Sequence, residues 1–418
     1  MKKLLSMVLA LVLCLGSILP LSAAEGDGSP ENPFLISDAY DLAELATMVN
    51  GGDVGEDTYF LLTNDIDLTD WIAEHGGNGG WTPIGRYSLG NLNSPYFFNG
   101  HFDGAGYSIT GITISASRNA GVGLFGGLGE NGTLSNLTVR TSEEGIYAET
   151  GGLDNAYAGV LLGFNALGTI VNCHATGYIE GSYFTGIGLL VGSMYKGSIS
   201  MSSSSGTAVG GGRVGGFIGN NNEGTITNCF TTAEVIGTTT EDFELQSAGG
   251  FAGYSSGSLT NCYAAGAVSA HFDLEDLSLL GGFLGRLASP ATTCYWNSDT
   301  NFHDVGSYSV RYDKEEIVGL SLDEMKTRSF AAMLNANSPA KIWAQDDDIN
   351  EGFPYFDEDA AVIGDDTPDD IANISDEDYS EQQLLAIACV EKVWDMVDRF
   401  SMRFDISIYD YWTYFDLW

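Results

Sequence analysis

From residue 121 to about residue 300 the chain alternates short apolar runs with glycine-bounded polar breaks, a period that suits strands and not helices. One phrase keeps returning. It reads Gly-Val-Leu-Leu-Gly at 159–163, Gly-Leu-Leu-Val-Gly at 188–192, Gly-Gly-Phe-Ile-Gly at 215–219, Gly-Gly-Phe-Ala-Gly at 249–253 and Gly-Gly-Phe-Leu-Gly at 281–285, with a degenerate copy, Val-Gly-Leu-Phe-Gly, at 122–126. A turn and a β-prone stretch follow, as in Gly-Thr-Ile-Val-Asn-Cys at 168–173, Gly-Thr-Ile-Thr-Asn-Cys at 224–229 and Gly-Ser-Leu-Thr-Asn-Cys at 257–262. A third apolar stretch closes the unit, for example Ala233-Glu234-Val235-Ile236.

The final glycines of the phrase lie 37, 29, 27, 34 and 32 residues apart, room for three short strands and their turns. Glycine at this density costs ~1 kcal/mol per residue inside helices, so a helical repeat is excluded. Near-identical successive strands predict a stack in which each strand pairs with its equivalent one coil away. The predicted fold is all-β: a right-handed parallel β-helix with helical caps and a separate C-terminal helical tail. Cys173, Cys229, Cys262 and Cys294 fall 10, 10, 9 and 9 residues after the repeat glycine, with Ser202 in the intervening coil. One register implies an inward ladder of small thiols, since zinc sites want converging Cys-x-x-Cys pairs. Asn172, Asn228 and Asn261 just before them suit a turn or an asparagine ladder.

These phrases resemble the GLUG motif family, repeats of bacterial secreted and surface proteins that include adhesin-like proteins and IgA-type metallopeptidases. The lead-in from Gly28 to Ile36, Asn64–Leu68, Trp81–Gly85 and Phe102–Gly106 is similar to the usual start of such arrays. Leu322–Lys326, Trp343 and Gly352-Phe353-Pro354 resemble the usual close, so the likeness spans about residues 28–356. It implies a fold and no particular activity, because the repeats serve as scaffold in proteins with different tasks.

The pattern divides the chain into a signal peptide (1–24), an N-terminal cap with first coils (25–120), the repeat solenoid (121–300), a C-terminal capping segment (301–356), an acidic linker (357–378) and an amphipathic aromatic tail (379–418). Lys2 and Lys3, the apolar run from Leu4 and the small residues Ser22-Ala23-Ala24 carry the first assignment. Ser37 is the expected cap of a helix whose Leu42, Leu45, Ala46 and Val49 share one face. Met325, Phe330, Met333 and Leu334 are expected to close the other end in the same way. In the tail, Tyr411, Trp412, Phe415 and Trp418 form an apolar surface suited to self-association or to docking a partner.

Charge narrows the function. Sixteen Lys and Arg against 56 Asp and Glu give −40, which excludes nucleic acid as a partner because phosphate contacts need basic side chains. After the leader no run is long enough to span a membrane. Histidines 75, 101, 174, 271 and 303 contain no His-Glu-x-x-His, so a zinc peptidase of that class is excluded. A polysaccharide lyase or hydrolase needs a basic or paired-carboxylate cluster, and the six basic residues between 25 and 300 share no register. No cofactor is expected. The candidate ligands of a structural calcium ion are Asp346, Asp348, Asn350 and Asp357, although Glu351 stands where the turn glycine belongs. The expected function is therefore that of a secreted, extracellular or cell-surface, non-catalytic scaffold for adhesion to or recognition of a glycan or protein. The alternatives are a β-helical polysaccharide lyase or hydrolase, and a structural spacer or envelope component. Tyr87, Tyr96 and Tyr147, in irregular loops between repeats, are the candidate sugar-stacking side chains.

Overall fold

The computed structural model describes residues 26–357, apart from 88–90, 116–120, 150–155, 183–185, 240–244, 271–278, 301–302, 309–316 and 339–340. The chain divides into two compact units, Met1–Glu358 and Asp359–Trp418. The expected signal peptide and aromatic tail lie outside the described residues.

The first unit is a parallel β-helix. One rung runs in register from Phe34–Ile36 through Tyr59–Leu62, His101–Asp103, 133–135, 169–171, Ser198–Ser200, Thr225–Thr227 and Ser258–Thr260 to Ala291–Thr292, every pairing parallel. The neighbouring rung includes His174, Ser203, Phe230, Tyr263, Tyr295 and Val318 in successive coils. Seven-stranded and six-stranded parallel sheets supply the other walls.

The repeated glycine phrase is the corner between those two smaller sheets. Strand Gly212–Gly215 reaches strand Ile218–Asn222 through only Gly216 and Phe217. A Cβ on Gly219 would sit 2.4 Å from Ile187 N, and one on Gly253 2.6 Å from Val214 N, both one coil away. No side chain fits there, so the phrase must end in glycine. The residue between the glycines points into the core: Phe217, Phe251 and Phe283 are fully buried, their rings stacked at centroid distances of 4.7 and 5.1 Å. The backbone ladder continues around the bend, with Phe217 N donating to Phe251 O (2.9 Å) and Phe251 N to Phe283 O (2.8 Å). Each buried corner amide thus finds its acceptor in the next coil.

The second corner precedes the cysteines. Asn136, Asn172, Met201, Asn228, Asn261 and Thr293 all have φ near +50°, a left-handed turn that asparagine tolerates better than other side chains. The anticipated asparagine ladder forms as two separate amide pairs, interrupted by Met201: Asn172 Nδ2 donates to Asn136 Oδ1 (3.0 Å) and Asn261 Nδ2 to Asn228 Oδ1 (2.6 Å). Cys173, Cys229, Cys262 and Cys294 are fully buried free thiols, and burial raises the pKa of Cys173, to about 12, and those of Cys262 and Cys294. Such thiols are packing groups and not nucleophiles.

Both terminal segments differ in detail from expectation. Helix α1 (Ala39–Gly51) buries Leu42, Leu45, Ala46 and Val49 in the solenoid core, but its cap is Asp38, which accepts from Tyr40 N and Asp41 N. Ser37 instead donates both its N–H and its hydroxyl to Asp41 Oδ2, because the chain enters one residue later than the sequence suggested. A second helix, α2 (Thr69–His75), follows. At the far end, α3 (Leu322–Met325) and α4 (Arg328–Ala336) do not pack as an end cap. They begin a lateral strap over the outward side chains of one rung: Phe330 contacts Tyr295 and Tyr263, Trp343 contacts Tyr263 and Phe230, and Phe356 reaches Phe230 and His174. Met325, Phe330 and Leu334 are buried in this separate cluster, whereas Met333 is 42% exposed. Phe230 and Tyr263 explain the difference, because these outward aromatics form an apolar flank that must be covered.

The asparagine corner makes a quantitative prediction. Asn228→Ala puts Ala in the left-handed region and removes one rung of the amide ladder, a loss of about 2–3 kcal/mol. Asn228→Gly, which keeps the turn, is expected to lose only about 1 kcal/mol. Urea denaturation of the two variants checks the difference.

Candidate recognition surface

The solenoid's outward side chains follow from the two-residue alternation of each short strand. In the rung before the asparagine corner, Ile170, Ile199, Ile226 and Leu259 are buried, and their neighbours face out. The outward positions are Thr133 and Ser135, Thr169 and Val171, Ser198 and Ser200, Thr225 and Thr227, and Ser258 and Thr260. From 133–135 to 258–260 successive coils thus set hydroxyls one strand spacing apart, roughly 4.8 Å, in two columns interrupted only by Val171, with His101 and Asp103 at the same positions one coil earlier. Ser198 Oγ donates to Thr169 Oγ1 at 3.2 Å along one column. The Thr-Ile-Thr alternation signalled this face, though its value as a surface appears only when the coils stack.

Further around the same sheet Tyr147, 48% exposed, lies against Tyr178 at 5.5 Å. Tyr178 donates its hydroxyl to Glu180 Oε2 (2.6 Å), and Glu180 pairs in register with Tyr147. Burial and then the Glu180 carboxylate raise the Tyr178 pKa well above the phenol range, so it remains a donor. Tyr96 is 44% exposed with Arg86 over its ring at 5.9 Å. Tyr87 is only half-buried surface: it packs on Phe164 at 4.2 Å and on Tyr157, beside Phe97. The three tyrosines therefore do not form one site. Tyr411, Trp412, Phe415 and Trp418 lie outside the described residues.

The calcium candidates are placed by the strap's own turns. Asp346 Oδ1 accepts from Asp348 N (2.9 Å), and Asn350 Nδ2 donates to Pro354 O (3.0 Å). Asp357 N donates to Ile342 O, joining the ends of the short antiparallel pair Trp343–Ala344 and Tyr355–Phe356. Among the described residues no three His, Cys, Asp or Glu side chains gather as a metal site.

His174 sits where the strap ends. Its Nδ1 contacts Ser203 Oγ (2.8 Å), its Nε2 contacts Asn172 Oδ1 (3.2 Å), and the Phe356 ring lies 6.0 Å away. Because Asn172 uses its Nδ2 toward Asn136, its Oδ1 faces the imidazole, so Nε2 carries the proton and Nδ1 accepts from Ser203. Burial holds the ring neutral, with a pKa lowered to about 4.

The architecture defines a class, the parallel β-helix of repeated glycine-cornered coils, and the comparisons add the repeat's identity. Residues 245–269 match the model of the GLUG motif, so this stretch, shorter than one coil, is a GLUG motif. A "Putative Gly-rich membrane protein" of Evansella cellulosilytica is 38% identical over 141 residues, 33% of this chain and 15% of that protein. "Halomucin" of Haloquadratum walsbyi is 33% identical over 179 residues, 43% of this chain and 2% of that protein. The matches thus span small parts of much longer relatives. A crystal structure of "a putative immunoglobulin A1 protease from Bacteroides ovatus" superposes with a TM-score of 0.54 at 19% identity, covering 80% of this chain and 94% of that one. That likeness shows the fold alone. Among the described residues no helix is long and apolar enough to cross a membrane.

Neutral His174 has a pH consequence. Its folded pKa lies below the ordinary 6.5, so the unfolded chain takes up a proton first as pH falls. This residue's contribution is present above about pH 6.5 and is lost toward pH 4, by at most about 3 kcal/mol. Urea midpoints at neutral pH and near pH 4.5 are expected to differ less in His174→Gln than in the parent chain.

Proposed function

We propose that this chain is a non-catalytic recognition protein displayed or released outside the cell, and that it engages an extracellular glycan or protein with the outward flank of its solenoid. The observation that carries this reading is the run of outward hydroxyls from 133–135 to 258–260, flanked around the sheet by the Tyr147–Tyr178 pair. On a chain of net charge −40, a neutral hydroxyl surface meets a polyhydroxylated partner without stripping water from charged groups. Aromatic rings add apolar faces for the carbon–hydrogen side of a sugar ring. The two curated relatives, a membrane protein and a halomucin by name, fit a location at the cell envelope. The peptidase named for the structural neighbour would need a hydrolytic centre, and the sequence lacks His-Glu-x-x-His.

The test is co-sedimentation of the purified chain with insoluble plant and host polysaccharides, with released reducing ends assayed in the same tubes. Retention without new ends is expected, lowered about three- to tenfold by Tyr147→Ala. Raised salt should change it little, since hydroxyl hydrogen bonds and ring contacts, and not the flanking Glu180 and Asp103 carboxylates, hold the sugar. New reducing ends would replace this reading with an enzymatic one. Absence of retention on every polysaccharide would remove the glycan and leave a protein ligand.

A further inference from the structure

The glycine corner also shapes the outside of the solenoid. Val214 and Ile218 face the core there, while Arg213 Nη1 donates to Asn220 Oδ1 (2.9 Å) across the crease between the six-stranded and seven-stranded sheets. In the next coil Tyr254 takes the register of Asn220, and Arg213 Cζ lies 4.4 Å from the centroid of its ring. One coil further on, Arg286 takes the register of Tyr254. Arg213 and Tyr254 are half-buried and Arg286 is exposed, so the group opens to solvent. Two of the six basic residues between 25 and 300 thus converge on one tyrosine, in a chain with 56 acidic residues. Lys196 finds Glu223 at 3.5 Å, yet among the described residues no carboxylate pairs with Arg213. Of the five N–H donors of its guanidinium one is used, on an amide and not on an acid. Burial, and behind it the charge of Arg286, hold the Arg213 pKa below its ordinary value. A half-buried guanidinium with a second one nearby and no acid beside it lacks a negative charge.

We infer that the Arg213–Tyr254–Arg286 group binds a singly charged oxyanion from solution, a carboxylate. A guanidinium presents parallel N–H donors that match the two oxygens of a carboxylate. Arg213 is pre-set for this, because Asn220 fixes one nitrogen and the Tyr254 ring supports its face, so little side-chain freedom is lost on binding. Arg286 adds attraction at short range, where solvent screens it least. The net charge of −40 limits the charge of the ligand, since repulsion from the rest of the chain grows with every charge the ligand carries. A carboxylate is therefore favoured over a phosphate, which carries about −1.5 to −2 at neutral pH. A free acid and an acidic sugar present the same group, and the choice between them is experimental. The crease lies on other sheets than the hydroxyl columns, so this inference does not rest on the glycan reading.

Isothermal titration calorimetry of the purified chain at low ionic strength tests it, with sodium acetate, methyl glucuronoside, methyl glucoside and sodium phosphate as probes. Saturable binding of the glucuronoside is expected, with a Kd in the millimolar range or below, and no response to the neutral glucoside. Acetate that binds as tightly as the glucuronoside assigns the site to the bare carboxylate, and a glucuronoside about tenfold tighter assigns it to an acidic sugar. Arg213→Gln should weaken binding about tenfold. Arg286→Gln, at an exposed position where the fold is indifferent to the change, should weaken it about threefold. Lys196→Gln removes one positive charge from a different turn and should leave the affinity unchanged. No saturable binding of either acid, phosphate bound more tightly than both, or a glucoside bound as well as the glucuronoside would overturn the inference. Binding that survives in the Arg213→Gln, Arg286→Gln double variant, or an equal loss in Lys196→Gln, would overturn it too.

Discussion

Two backbones meet at the glycine corner with no room for a side chain between them, and the rest of the solenoid depends on that approach. Because Gly219 and Gly253 press against strands one coil away, each coil must turn at the same place as its neighbours. The shared turn aligns the Phe217, Phe251 and Phe283 rings and carries the hydrogen-bond ladder around the bend. These glycines each carry an entropic cost of roughly 0.5–1 kcal/mol, offset by burial of one large apolar side chain per coil. In earlier coils Leu124, Leu161 and Leu190 occupy the phenylalanine position, fully buried, so the corner tolerates a change of core residue but not the loss of its glycines.

The repeat unit was legible in the sequence because its constraints are local. A glycine that cannot carry Cβ, an asparagine in a left-handed turn and a cysteine just inside it recur at near-constant spacing, and each leaves one letter per coil. The strap was not legible in the same way. Its expected apolar residues, Met325, Phe330 and Leu334, are indeed buried, but their partners Phe230, Tyr263 and Tyr295 are outward positions of distant coils. Nothing local separates an outward tyrosine that awaits a cover from one that faces solvent. The shift of the helix cap from Ser37 to Asp38 is of the other kind, a choice between two adjacent good capping residues.

The candidate recognition features were legible only in part. Tyr147 and Tyr96 are exposed as anticipated, while Tyr87 is drawn into a cluster with Phe97, Tyr157 and Phe164 that sequence spacing does not reveal. The hydroxyl columns are a further case. Thr and Ser alternating with Ile and Leu read simply as strand, and become a surface only through stacking.

The lateral strap also changes how the molecule can come apart. In a plain solenoid each coil touches only its neighbours, so the last coil can fray while the others hold. Here Phe330 grips Tyr295 and Tyr263 while Phe356 reaches back to His174, four coils up the stack from Tyr295. Peeling the terminal coil must loosen contacts on every coil the strap crosses, so those coils share one fate. The strap thus works as a stitched seam that makes a row of separately meltable repeats into a single cooperative block.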